Sequence, residues 1–172
     1  MAKVINSGCY LKVNLHKNKV KFFQSFNSIY AKLGNTSSFD TIMQLMQSNC
    51  LSVLLYSLES LNLTKTNLNY LEFPLKRAFV KIFHVRESDA ISWCQFYMKQ
   101  LPIEYILDDR KRKYLFNLGK SECFLLKFLF ECTAKQSLNA INEKYGVDKR
   151  CPAGKFNEVM WQTFFDKLSV QI

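Results

Sequence analysis

Apolar positions along this chain change period once, early, and then keep a helical period to the end. Over Cys9–Leu15, Leu11, Val13 and Leu15 alternate with Tyr10, Lys12 and Asn14, the two-residue repeat of a strand. That strand has no partner nearby in the sequence. From Val20 to Leu33 the repeat becomes helical: Phe22, Phe23, Phe26, Ile29, Tyr30 and Leu33 recur at three- and four-residue steps, and Gly34 is placed to end the helix. Ser37 to Asp40 reads as a capping box opening a second helix. Its later half, Leu51–Leu58, is apolar on nearly every side and is therefore expected to be the buried central helix.

Six further helices follow. Thr64 or Thr66 caps the third, with Leu68, Leu71, Leu75, Phe79 and Ile82 as its stripe and Pro74 as a kink or restart. Ser88 caps the fourth. Pro102 starts the fifth, which turns Ile103, Ile106, Leu107, Tyr114, Leu115 and Leu118 inward and ends at Gly119. Ser121 caps the sixth, built around Phe124, Leu125, Phe128, Leu129 and Cys132. A seventh covers about Ser137–Tyr145 and stops at Gly146, and the last spans roughly Lys155–Leu168. The expected fold is mainly α, a multi-helix bundle with one short N-terminal strand. The phenylalanines, being at helical spacing, are expected in the core, and Tyr30, Trp93 and Trp161 as packing anchors.

Composition narrows the class. The 172 residues are 48% apolar with only five glycines and three prolines, too greasy for a disordered chain and too poor in turn formers for a many-stranded sandwich. None of the six cysteines is in a CxxC pair, and neither His16 nor His84 has a cysteine at zinc spacing, so reduced thiols and an intracellular setting are expected. No apolar stretch approaches the length of a membrane span, and no membrane partner is expected. No nucleophile stands in a triad setting and there is no glycine-rich phosphate loop.

Charge adds a partner. Lys and Arg exceed Asp and Glu by 24 to 14. The surplus falls in blocks: Met1–Leu33 has six lysines and no acid, Thr64–Arg86 has five bases against Glu72, and Arg110–Lys120 has five bases and no acid. A polyanion is the matching ligand. The candidate phosphate-binding residues are Lys17, Lys19, Lys21 and Lys32 around the Phe-rich helix; Lys76, Arg77 and Lys81 on the third; and Arg110, Lys111, Arg112 and Lys113 on the fifth. Four successive cations spread around a helix and cannot all face one ligand, so the last group reads first as a solvated face and second as a phosphate site. Arg77 and Lys81, one turn apart and opposite the apolar stripe, are better placed. Such contacts carry no sequence preference.

Tyr105-Ile106-Leu107-Asp108-Asp109 imitates a polymerase metal turn, in which adjacent carboxylates hold magnesium. Here two spacers separate the aromatic residue from the acids, and Arg110–Lys113 follows at once in helical register. Asp108 with Arg112, and Asp109 with Lys113, are expected as ordinary i,i+4 surface pairs.

Several segments together carry a resemblance. Phe22 to Gly34 (FFQSFNSIYAKLG) resembles the stretch following the catalytic core in reverse transcriptases of non-LTR, LINE-like retrotransposons. Cys50 to Glu59 (CLSVLLYSLE) resembles that family's C-L-P-x-L-L-Y-G-x-E, with Ser52 in place of Pro and Ser57 in place of Gly. Leu101-Pro102-Ile103 and Asp108-Asp109-Arg110-Lys111 resemble its next marks. The likeness spans roughly Leu11–Leu118 and continues more weakly beyond. It implies a palm-end strand and basic linker over 1–19, a helical thumb-like domain over 20–118 and a helical connector over 119–172. The strand would be left over from a palm sheet that this chain lacks. Magnesium would belong to that missing palm, so no cofactor is expected here and no polymerase activity from the chain alone. The implied partners are RNA or an RNA–DNA duplex, held through the backbone, and the palm and fingers of the parent polymerase. The two replaced motif residues are what a decayed copy would carry. The alternative function is a helical protein-interaction module, a reused remnant of such an element.

Overall fold

A computed structural model of the chain describes residues 5–6, 11–12, 15–34, 37–148 and 151–170. The strand expected over Cys9–Leu15 lies mostly outside them. Within it Leu11–Lys12 (β2) is described, paired antiparallel with Ile5–Asn6 (β1), Ile5 opposite Lys12 and Asn6 opposite Leu11. A two-residue local pairing carries no support for a strand left over from a larger sheet. Everything else that is regular among the described residues is helical: α1 (His16–Leu33), α2 (Phe39–Leu45), α3 (Leu51–Leu54), α4 (Lys65–Phe83), α5 (Ser88–Tyr97), α6 (Ile103–Lys120), α7 (Phe124–Leu129), α8 (Lys135–Lys144) and α9 (Ala153–Ser169). Two π-helical turns, Met46–Cys50 and Phe130–Ala134, make α2–α3 and α7–α8 continuous helical rods.

The helix ends follow local chemistry. Ser38, rather than Ser37, accepts from the Thr41 amide at the head of α2, and Thr64 accepts from the Asn67 amide at the head of α4. Cys123, not Ser121, precedes α7, while Ser121 Oγ accepts from the Cys123 amide. Pro74 sits inside α4, which runs on through it and buries the ring. His84 closes α4 in the left-handed region (φ 57°); Ser57 and Lys99 adopt the same backbone form at φ 60° and 52°. Gly119 does not end the fifth helix but lies within α6, and the expected sixth and seventh helices are one rod through the second π turn. A side-chain hydroxyl marks each π turn. Ser52 Oγ donates to the Ser48 carbonyl at 2.6 Å, and Thr133 Oγ1 to the Leu129 carbonyl at 3.0 Å, competing with the regular amide ladder.

The chain forms two compact units. The first comprises residues 1–58 and 62–98, the second residues 59–61 and 99–172. In the first unit, α1 packs on the first π turn, α3 and α4, and buries Phe22 and Phe26. The α2–α3 rod buries Ile42, Met46, Cys50 and Leu54, so the expected central position of this segment is observed, although α3 stops at Leu54. Leu71, Leu75, Phe79 and Ile82 of α4 complete the core, and Gln95 of α5 donates to Glu72 at 3.2 Å. In the second unit, α6 packs against α7, α8 and α9. Tyr105 faces Tyr145 and Phe164 at ring separations of 6.1 and 5.8 Å, and Tyr145 meets Phe156 edge-on at 5.2 Å. These contacts place α6 with the C-terminal helices, so the observed division falls after Met98 rather than after Leu118.

Two expectations about side chains are corrected here. Tyr114 of α6 is exposed rather than inward, because Arg112 and Leu115 take the buried side of that turn. Phe124, Leu125, Phe128 and Leu129 are exposed rather than core, because the rod meets α6 through Phe130 of the second π turn, against Gly119, and not through α7 itself. The free thiols of the described residues are Cys50, Cys94, Cys123, Cys132 and Cys151; Cys9 lies outside. Among the described residues no helix is long and apolar enough to cross a membrane.

Candidate nucleic-acid interface

Charge separates the two units. The first holds eleven Lys and Arg against four acids, the second thirteen against ten. Within the first unit Lys19, Arg77 and Lys81 stand along the seam between α1 and α4. The two helices run side by side in the same direction: contacts His16–Tyr70, Lys19–Phe73 and Asn27–Lys81 advance together along both. This direction follows from the connection, since the α2–α3 rod between them returns the chain to the start of α1.

At the head of the seam, Lys19 Nζ lies 4.4 Å from the Tyr70 ring centre and 4.2 Å from that of Phe73, whose ring is half exposed. His16 Nδ1 and the Tyr70 hydroxyl share a hydrogen bond of 3.2 Å. Lys17 and Lys21 are exposed one helical turn apart on α1, on the side of the helix turned away from Lys19. Arg77 is exposed one turn beyond Phe73 on α4, and Lys76 beside it is half-buried. Lys19 and Arg77 therefore stand beside an accessible aromatic ring, the combination that suits a phosphate backbone with stacked or exposed bases.

Lys81, further along, is held by the protein. Its ammonium donates to Asn27 Oδ1 at 3.0 Å and lies 4.8 Å over the Tyr30 ring, while the Tyr30 hydroxyl donates to the Lys81 carbonyl at 3.1 Å. It positions α1 on α4 and is a poorer candidate than its spacing from Arg77 suggested. Lys32 is exposed in the last turn of α1. Sequence reasoning missed Tyr70, Phe73 and Asn27. The signal was present: Tyr70, Phe73, Arg77 and Lys81 recur at helical steps on a second face of α4, beside the apolar stripe.

The run Arg110–Lys113 belongs to the second unit and divides by function. Arg112 is a core residue, not a phosphate contact. Its Nε donates to Asn142 Oδ1 at 3.0 Å and its Nη2 to the Cys151 carbonyl at 2.8 Å, with the guanidinium 4.5 Å from the Phe156 ring centre. The helical period carries Arg112 into the interior, and its donors are met there. Lys113 is exposed and bonded to Asp109 at 2.6 Å. Arg110 and Lys111 are half-buried, and burial pulls the Lys111 ammonium below its ordinary range against the opposing charge of Asp108.

The acid pair does not fit a metal. Asp109 pairs with Lys113, as its spacing predicts. Asp108 does not pair with Arg112. It accepts instead from Lys144 at 2.6 Å and from the Tyr145 hydroxyl at 2.8 Å. The two carboxylates thus serve separate partners, two ammonium groups and a phenol. Burial, with the Asp108 charge next, pushes the Tyr145 hydroxyl up. Burial opposes the charge on Lys144, but its bonds to Asp108 and Glu104 outweigh this and raise it. No family model matches the chain, and no curated protein or solved structure does either.

Proposed function

We propose that this chain is a thumb and connector piece of a retrotransposon-type RNA-directed DNA polymerase. It binds the backbone of RNA or an RNA–DNA duplex without reading sequence, and it does not polymerise by itself. The observation that carries the binding is the α1–α4 seam, where Lys19 and Arg77 stand beside the half-exposed Phe73, with Lys17 and Lys21 exposed on the outer side of α1, on the more basic of the two units. The polymerase origin rests on the resemblance of the Phe22–Gly34 and Cys50–Glu59 segments.

Three or four phosphate contacts release counterions, giving a log–log salt slope of about −3 on a double helix and about a 50-fold loss of affinity between 50 and 200 mM salt. Replacing Lys17, Lys21 and Arg77 together with Gln makes the slope shallower by about two units. These residues are exposed, so the circular dichroism spectrum stays that of the parent. The test is a titration of labelled RNA–DNA duplexes of unrelated sequence at several salt concentrations. No binding at low salt, or an unchanged slope in the triple variant, defeats this reading. A second reading, a protein-interaction module, is favoured by one observation, the apolar side of α7 turned to solvent.

A further inference from the structure

A surface that only holds phosphates has no use for Phe73. The residue is 48% exposed on α4, and the positions one turn to either side of it, Asn69 and Arg77, are exposed and polar. Pro74 and Leu75, next in the chain, are buried, so the ring stands on fixed backbone. The Lys19 ammonium lies over the ring, 4.2 Å from its centre. The same ammonium lies 4.4 Å from the centre of the Tyr70 ring, whose hydroxyl shares a hydrogen bond of 3.2 Å with His16. With one face of Phe73 taken by Lys19, its exposed half is the other face and the edge. The cation is held in place, and a flat apolar surface beside it is left open.

A double helix has nothing to lay on that surface. Its base faces are stacked on one another, and it offers a protein only phosphates, sugars and base edges. An unpaired base has a free face, and stacking on an aromatic ring beside cations holds it whatever its identity. A membrane or an apolar protein partner would need contiguous apolar area, whereas Phe73 is framed by Asn69, Arg77 and Lys19. No acid opposes a polyanion here: α1 has none, and Glu72, the one acid of α4, is turned to Gln95 of α5. We propose that Phe73 is a stacking platform for one unpaired base of a nucleic-acid strand, with Lys19 and Arg77 holding the phosphates beside that base. The preferred ligand is then a single strand, or a duplex with a single-stranded tail, rather than a blunt duplex. This selectivity presupposes that the α1–α4 seam is the nucleic-acid surface, and adds the form of nucleic acid that the seam selects.

The test is a titration of the full chain with a labelled blunt RNA–DNA duplex, the same duplex carrying a short unpaired tail, and the tailed duplex with the tail made abasic but every phosphate kept. The natural tail is expected to tighten binding about tenfold, and the abasic tail to lose most of that gain. Tails of A and of U give the same gain within about threefold, because every base has a face to stack. Phe73→Leu weakens binding of the tailed duplex about tenfold, leaves the blunt and abasic ligands unchanged and keeps the parent salt slope, while Phe73→Tyr keeps the gain. Arg77→Gln instead makes the slope shallower by about one unit. Both positions are exposed, so the circular dichroism spectrum stays that of the parent. A blunt duplex bound as tightly as the tailed one overturns the platform and leaves backbone binding by the seam standing. So does an abasic tail as good as a natural one, or a tailed duplex indifferent to Phe73→Leu. Absence of binding to every ligand at low salt overturns both the platform and the seam.

Discussion

Arg112 has charged neighbours on both sides in the sequence and uncharged partners in space. Its planar guanidinium serves Asn142, the Cys151 carbonyl and the face of Phe156 at once, a geometry that an ammonium cannot copy. Removing it leaves a part-buried carbonyl and a buried amide oxygen without donors. Arg112→Met is expected to cost about 2–4 kcal/mol in urea denaturation, and Arg112→Lys to recover little of it. Neither change alters the salt slope of duplex binding, which separates a structural cation from an interfacial one. Cys50 makes the same point through acidity. The residue is fully enclosed, and burial pushes its thiol up to about 11 from the ordinary 9.0. Between those values the unfolded chain loses the proton and the folded chain keeps it. The contribution is therefore whole below pH 9 and is lost as pH rises through about 11, at up to about 1.4 kcal/mol per pH unit. Urea midpoints measured from pH 8 to 11 are expected to fall, and Cys50→Ala to flatten most of that fall, with burial of Cys94 supplying a remainder.

At the scale of elements, period and caps located most of the helices, and packing decided what became of their ends. The stripe of α4 was readable because Leu71, Leu75, Phe79 and Ile82 all point to one core. The sequence placed a stop at Gly119, where the structure has helix. The glycine is there because the Phe130 ring lies 3.0 Å from where a methyl group would stand, a contact between residues eleven apart that no local pattern announces. Gly119→Ala therefore sets a helix preference of about 1 kcal/mol against a steric cost of about 1–3 kcal/mol. A net loss of about 1 kcal/mol is expected in thermal denaturation, recovered when Phe130 is shortened to Leu. The exposed row on α7 was misread for a related reason. Period finds the apolar side of a helix but does not say whether anything lies against it. The same limit applies to the seam. The lysines of α1 were visible as a block, whereas the placement of Lys19 over Phe73 depends on α1 and α4 running parallel, which follows from the long connection between them.

For the molecule as a whole, the division after Met98 was hidden because the charge blocks and the likeness to a polymerase thumb both run across it. Each unit closes its own core, yet both rely on the same costly backbone form. Ser57, His84 and Lys99 occupy the left-handed region without the freedom of glycine, at about 1–2 kcal/mol apiece. Part of that cost is the alternative conformations a glycine would add to the unfolded chain, so each exchange for Gly is expected to return only about 0.5–1 kcal/mol. His84→Gly, at the end of α4, is the first to make, since a glycine there completes an ordinary helix stop. The three changes lie at three separate turns and should add, raising the melting temperature by several degrees in a thermal scan. Three side chains thus hold a margin of thermal stability that could be recovered without touching either core.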